Sequence, residues 1–235
     1  MALHRRARRN WTDLAGWHAL ITFGAVFAAA VYPVFARDFV SINDIYNHIA
    51  RAAVLSNYHN DPNFITLWAP NWRFVPYLGF DLAARGLLSF FDIDLVVRLM
   101  VATSLLSLFG GAMLLSRTAH RKWSAAALLC ALFLMNRSLL SGLVDYLFGL
   151  GIAFLGTAAW IKLRERPAVT RISILAAFAV TTCTIHLFSC GVLGVIVFGV
   201  EIATLRQRRE GLYRSLLALG GVCTAFLPAL LPVIV

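Results

Sequence analysis

The sequence predicts an all-α fold: a polytopic transmembrane helix bundle of about seven spans, with two interfacial helices in a large first extracytoplasmic loop. Only 14% of the 235 residues are charged, against about 25% in typical soluble domains. Mean hydropathy is +0.77. The basic residues behind the net charge of +10 stand in short clusters between long apolar runs. We therefore expect membrane lipids, and no nucleic acid, as partners.

The length of the apolar runs locates the spans. A hydrocarbon core about 30 Å thick requires about 20 apolar residues in a helix. Four runs meet this requirement directly: 14–35, 94–116, 138–163 and 212–235. The run 171–205 is too long for one span, and it predicts two short spans, 171–187 and 188–205, that meet near His186. The short apolar run 123–136 is predicted as the seventh span.

The basic clusters fix the predicted orientation. Short loops rich in Lys and Arg mark the cytoplasmic side, so an even number of crossings must separate any two clusters. Seven spans satisfy this condition for the clusters at 4–9, 117–122, 162–171 and 206–210. The prediction is a single multi-pass domain, 1–235, in the plasma (inner) membrane, with a cytoplasmic N-terminus and an outer loop at 36–93. Because the chain ends inside an apolar run, we expect a fragment of a longer protein.

The outer loop contains two predicted surface helices, near 43–57 and 77–91, which are too polar to span. In the first, Asp44, His48 and Arg51 recur with Asn47 at helical spacing along one side, while apolar residues line another. This pattern is typical of a helix lying along the membrane surface.

Ionisable residues gather on the predicted outer side. They are Asp44 and His48 in the outer loop, Arg137 in a tight turn, Asp145 early in the next span, and His186 at the bend between two spans. Such groups are costly at membrane depth unless they are paired or face a polar cavity, so they are functional candidates by default.

Each candidate also has a structural interpretation. Ser41 to Asp44 matches a helix-start pattern, so Asp44 either supports the first turn or accepts a proton from an incoming hydroxyl. Asp145 either lines a cavity or pairs with Arg137 or with a polar group of a neighbouring span. His186 is either a core histidine that stabilises the bend or a cavity residue.

Two further features bear on ligands. Arg51 and Arg73 lie on the outer side against the positive-inside trend, where they either reach lipid headgroups or bind a lipid-linked phosphate. His48 and His186 have carboxylates nearby, which leaves a divalent metal open, but no closely spaced metal-ligand motif indicates one, and no cofactor is predicted.

Several runs carry a family resemblance: "NDIYNHIARAAVL", "WAPNWRFVPYLGFDL", "NRSLLSGLVDYLFGLGIAF" and "IHLFSCGVLG". With the layout of one span, a large outer loop and a bundle of short-looped spans, the chain resembles poorly characterised bacterial members of the GT-C superfamily, glycosyltransferases that use polyprenyl-phosphate-linked sugars. Their first outer loop typically carries one or two acidic residues. Asp44 occupies that position here, but Asn43 and Ile45 flank it, so an acidic pair is absent.

The resemblance implies an enzyme that transfers a sugar from a polyprenyl-phosphate donor to a hydroxyl acceptor on the outer face of the membrane. Asp44 would be the base. Substrate binding would fall to His48, Arg51, Arg73, Arg137, Asp145 and His186. His48 or one of Arg51 and Arg73 would neutralise the departing phosphate.

The competing class is a non-catalytic or truncated multi-spanning protein, such as a transport or envelope-assembly subunit. A transporter requires polar residues that continue into the cytoplasmic half of the bundle. The sequence places little there beyond small hydroxyls such as those of Thr103 and Ser107.

Overall fold

A computed structural model describes residues 16–37, 42–69, 75–209 and 211–234, and these residues form an all-α bundle. Its helices, in chain order, are α1 Gly16–Ala36, α2 Ile45–Asn57, α3 Pro62–Leu67, α4 Leu78–Leu88, α5 Ile93–His120, the 3₁₀ segment Ala125–Phe133, α6 Arg137–Leu140, α7 Val144–Lys162, α8 Ala168–Ile185, α9 Leu187–Arg208 and α10 Leu212–Ile234. The predicted fold class is confirmed.

Six of these helices are long and apolar enough to cross a membrane: α1, α5, α7, α8, α9 and α10. The chain is therefore a multi-pass membrane protein. The prediction that 171–205 divides near His186 is confirmed, because α8 ends at Ile185 and α9 begins at Leu187.

The predicted span 123–136 takes a different form, a nine-residue 3₁₀ segment followed by α6. At about 2 Å per residue the 3₁₀ segment rises only about 18 Å, so it falls short of the hydrocarbon thickness. The chain nevertheless returns here from one end of the bundle to the other. Trp123 lies beside Gly16 at the start of α1, and Leu140 accepts a hydrogen bond from the Asn43 amide just before α2.

This return lets α5 and α7 run parallel in close contact. Ser107 Oγ donates to the Phe148 carbonyl at 3.0 Å, and one turn further along Gly111 meets the Gly151 backbone. A side chain at Gly151 would collide with the backbone of Ser107. Small residues permit this backbone approach, as is common between helices in lipid.

The second half of the bundle packs around α7. α9 runs parallel to α7, since Ser189 Oγ donates to the Tyr146 carbonyl at one end and Trp160 contacts Glu201 at the other. Between these ends the core is apolar and includes the fully buried Leu193. The bundle therefore carries two polar clusters, one at each end of α7.

The predicted surface helices 43–57 and 77–91 are present as α2 and α4, which pack against each other and against α5. The side of α2 formed by Ile45, Ile49 and Ala52 is fully buried. Their position along a membrane surface stays a prediction. Between them lies the short helix α3, which begins at Pro62 and is capped by Asp61.

Candidate functional site

The turn between α6 and α7 holds the start of α2. Gly142 has a φ of +91°, a conformation that favours glycine, and a side chain there would collide with the backbone of Asp44. The Asn43 amide donates to the Leu140 carbonyl of the same turn at 3.4 Å. Two segments about 100 residues apart in sequence are thereby brought together.

Asp44 occupies the position before the first residue of α2, but its side chain makes no capping hydrogen bond. It accepts instead from the side-chain amide of Asn47, and its Oδ2 lies 3.9 Å from His48 Nε2. The Asp44 side chain is 43% exposed. Of the two interpretations from sequence, the structure places the carboxylate beside the histidine; Ser41 lies outside the described residues.

His48 is the centre of the cluster and is 4% exposed. Its Nδ1 lies 2.7 Å from Arg51 Nη2, and because a guanidinium can only donate, Nδ1 accepts this hydrogen bond. Nδ1 also lies 3.3 Å from Asp81 Oδ1. Nε2 faces Asp145 Oδ2 at 3.7 Å and Asp44 Oδ2 at 3.9 Å. Both distances exceed that of a direct hydrogen bond.

Asp81, in α4, anchors this arrangement, and sequence reasoning missed it. Arg51 donates from Nε to Oδ2 at 3.0 Å and from Nη2 to Oδ1 at 3.2 Å, a bidentate pair that also bridges to His48. Asp81 is 9% exposed, whereas the Arg51 side chain remains 45% exposed. The available signal was an acidic residue within an apolar stretch of the outer loop, between Phe80 and Leu82.

Asp145 is 1% exposed and lies in the first turn of α7. Its Oδ1 accepts from the Tyr146 amide at 2.8 Å, and its Oδ2 has no hydrogen-bond partner among the described residues. Arg137, the partner considered from sequence, is exposed at the first residue of α6, and no ion pair joins it to Asp145 in the described part of the chain. A buried carboxylate oxygen facing His48 is therefore available to a further donor.

His186 lies at the bend between α8 and α9 with a buried ring, as the structural interpretation from sequence expects, and its role as a cavity residue stays a prediction. Its backbone amide donates to the Thr182 carbonyl at 2.8 Å, which ends α8, and its carbonyl accepts from the Ser189 amide at 3.0 Å as α9 begins. The ring is 5% exposed and packs between Tyr77 and Tyr146, with centroid separations of 5.1 and 5.2 Å. Its Nδ1 is buried without a hydrogen-bond partner in the described chain.

His186, between α8 and α9, has a lowered pKa. Burial lowers the pKa of His186, the nearby Asp145 carboxylate opposes this, and His48 adds to it. Neutral imidazole is thus the favoured form of His186 near pH 7.

Tyr77, which packs on this ring, has a φ of +76°, an uncommon conformation for a residue with a side chain.

An apolar cavity of about 140 Å³ adjoins the cluster. Its walls include Val54, Leu55 and Trp68, and Arg51 and Asp81 line its polar part. A ligand with an apolar chain and an anionic group matches that division.

Two of the predicted site residues are not shown in the cluster. Arg73 lies outside the described residues, and the exposed Arg137 side chain makes no ion pair within the described part of the chain. Asp44, His48, Arg51, Asp145 and His186 do come together, from α2, α7 and the junction of α8 with α9. In the ranges that the structure describes, no group of three or more His, Cys, Asp and Glu side chains has the arrangement of a metal site.

The chain matches no family model, no curated protein and no solved structure.

Proposed function

We propose that this protein is a membrane glycosyltransferase, similar to the GT-C superfamily, that transfers a sugar from a polyprenyl-phosphate donor to a hydroxyl acceptor. The observation that carries the proposal is the partly exposed Asp44 carboxylate, 3.9 Å from a buried His48 whose other ring nitrogen is held by Arg51. The proposed base Asp44, the orienting group His48 and the cation Arg51 therefore lie within two helix turns of one another.

In the proposed reaction Asp44 accepts the proton of the acceptor hydroxyl, while the hydroxyl oxygen forms a bond to the anomeric carbon of the sugar. The bond between that carbon and the phosphate oxygen breaks, and the phosphate leaves with the electron pair. Arg51 stabilises the charge that develops on the departing phosphate. His48 Nε2 lies 3.9 Å from Asp44 and 3.7 Å from Asp145, and in the proposed reaction it orients the base when the contact with Asp44 shortens to a hydrogen bond on substrate binding.

The surroundings support a lipid-linked donor. The cavity beside Arg51 offers apolar walls to the first part of a polyprenyl chain and a guanidinium to its phosphate. The basic runs at 117–122 and 162–171 lie at the opposite ends of α5 and α7 from the cluster, and under the positive-inside rule this supports an outer position for the site in the plasma membrane, with a cytoplasmic N-terminus.

The experiment is a transfer assay with the purified chain in lipid nanodiscs, supplied with a set of radiolabelled polyprenyl-phosphate sugars. Asp44→Asn removes the proposed base. Asp61→Asn is the matched control, because Asp61 lies in the same outer loop and caps α3 away from His48. Transfer by wild type and Asp61→Asn, with at least a hundredfold loss in Asp44→Asn, supports the proposal. Equal rates in all three reject Asp44 as the base.

The second candidate function is a non-catalytic or truncated membrane subunit, and a specific observation favours it. The guanidinium of Arg51, which would stabilise the departing phosphate, is already paired with Asp81. Glu201, a buried carboxylate in the other half of the bundle that the sequence interpretation overlooked, also favours a transport role. Fully buried Ala153 and Leu193 lie between the two clusters, so the polar residues do not form a continuous path. Absence of transfer by wild type with every donor would favour this candidate.

A further inference from the structure

A second polar cluster lies at the opposite end of α7 and α9. Glu201 follows His186 by fifteen residues of helix, a rise of about 22 Å. It is 5% exposed, and its Oε2 accepts from Trp160 Nε1 at 2.9 Å. The same oxygen lies 3.4 Å from Arg171 Nη2 and 3.8 Å from Arg164 Nη2. One carboxylate oxygen therefore accepts hydrogen bonds from Trp160 and Arg171 and lies near a third donor, Arg164, without a hydrogen bond to it.

The guanidinium groups here have more donors than the described residues have acceptors for them. Arg164 Nε and Nη2 and Arg171 Nε are buried without a hydrogen-bond partner. The two side chains are only 23% and 15% exposed. Arg171 is held in place from its other side, since it stacks over the Trp160 ring at 3.9 Å. Burial without matching acceptors is costly for charged donors, so this end of the bundle suits an additional anion.

Arg164 and Arg171 line a cavity of about 180 Å³. Its polar lining consists of Arg164, Arg171, Arg208, Arg214, Glu201 and Thr204. Arg164, Arg171 and Arg208 surround Glu201, and Glu165 pairs with Arg208 at 3.2 Å, so these three guanidinium groups exceed the two carboxylates by one positive charge. The cavity is several times the roughly 30 Å³ that one water molecule occupies in the liquid.

The positive-inside rule alone does not explain why arginine side chains surround Glu201. The positive-inside rule requires basic residues in a short loop, and an exposed side chain such as Arg166 satisfies it. It does not require that Arg164 and Arg171 be partly buried around Glu201 with nitrogen atoms that lack acceptors. Burial also lowers the pKa of Arg164, the direction expected of a cation without sufficient counter-charge.

We propose that this cluster is a phosphate-binding site, separate from the site around His48, that takes either the phosphate of an anionic lipid headgroup or a free phosphate ion. Planar guanidinium groups bind phosphate oxygens in pairs, and several of them converge here. Basic pockets between spans are typical headgroup sites. Exposed apolar side chains at the start of α10, Leu212 and Leu216, would lie alongside the chains of a bound lipid.

The test compares two phosphate sources on the purified full chain in a neutral detergent. Native mass spectrometry measures retention of phosphatidylglycerol against phosphatidylcholine, and equilibrium dialysis measures binding of radiolabelled inorganic phosphate after delipidation. The variants are Arg171→Gln, which removes a buried donor, and Arg208→Gln, which lines the cavity but leaves the contacts of Glu201 with Trp160 intact. The matched control is Arg166→Gln in the adjacent turn.

Each outcome decides the matter. We expect wild type and Arg166→Gln to bind one of the two probes, with about tenfold weaker binding in both Arg171→Gln and Arg208→Gln. Preferential retention of phosphatidylglycerol identifies a headgroup site, and binding of inorganic phosphate alone identifies a free-ion site. If Arg171→Gln does not fold, Arg208→Gln decides alone. Binding by wild type that Arg208→Gln leaves unchanged, or no binding of either probe, overturns the proposal.

Discussion

Replacing Gly142 by alanine is predicted to destabilise the protein by about 2 to 5 kcal/mol. The left-handed φ of +91° costs a residue with a side chain about 1 to 2 kcal/mol. The new Cβ would also lie 2.6 Å from Asp44 Cβ and 2.7 Å from its Cα. Backbone cannot move aside as a flexible side chain can, and overpacking of this kind costs about 1 to 3 kcal/mol.

The assay is thermal unfolding of purified Gly142→Ala in detergent, followed by circular dichroism, with transfer activity measured on the same samples. Gly86→Ala is the matched control, because Gly86 lies inside α4 with nothing within 4 Å of a new Cβ. Alanine there is expected to be neutral or to stabilise by up to about 1 kcal/mol. We expect Tm to fall by at least about 4 °C for Gly142→Ala only. An unchanged Tm would refute the argument that this turn holds Asp44 in place.

Asp81→Asn removes the charged partner of Arg51; because that arginine is 45% exposed, we expect less than about 1 kcal/mol of lost stability, measured by thermal unfolding. Transfer rate should nevertheless fall by about tenfold, since the guanidinium loses its fixed orientation. Gly151→Ala should separate α5 from α7 by forcing the Ser107 backbone away, and we expect a loss of about 1 to 3 kcal/mol in the same unfolding measurement. His186 has a folded-state pKa below its unfolded value, so the unfolded chain binds more protons and stability should fall as pH drops below about 6.5; His186→Gln should reduce that decline.

Each of these variants has a matched control in the chain. The control for Asp81→Asn is Asp94→Asn, which changes an exposed carboxylate in the first turn of α5. The control for Gly151→Ala is Gly199→Ala, where nothing lies within 4 Å of the new Cβ, and the control for His186→Gln is His59→Gln, which changes an exposed histidine. A control that behaves like its paired variant would mean that the effect does not arise from the contact named.

The spans could be predicted because their signal is one-dimensional. Apolar length and basic loops are properties of consecutive residues, so the break at His186 followed from a run too long for one helix and too short for two ordinary ones. The form of 123–136 could not be predicted in this way. Its composition suits a span, but nothing in the local pattern distinguishes a 3₁₀ segment that continues into α6 from a regular helix.

The candidate site was predictable only in part, for a related reason. Asp44, His48 and Arg51 lie on one helical face, and topology placed Asp145 on the same side. Asp81 joins them through a contact between α2 and α4, which sequence spacing does not encode. Glu201 was overlooked because a single carboxylate in an apolar span carries no local sign of its partners, which lie 30 or more residues away along the chain.

Both proposed sites depend on the two clusters facing opposite sides of the membrane, with the site around His48 outside. We would replace the four native cysteines by alanine and introduce Asn60→Cys or Arg166→Cys, both at exposed turns near the respective clusters. A membrane-impermeant maleimide would then be applied to intact and to permeabilised cells. Labelling of Asn60→Cys in intact cells, and of Arg166→Cys only after permeabilisation, is the predicted result. Labelling of both from the same side, or in the reverse order, would contradict the account.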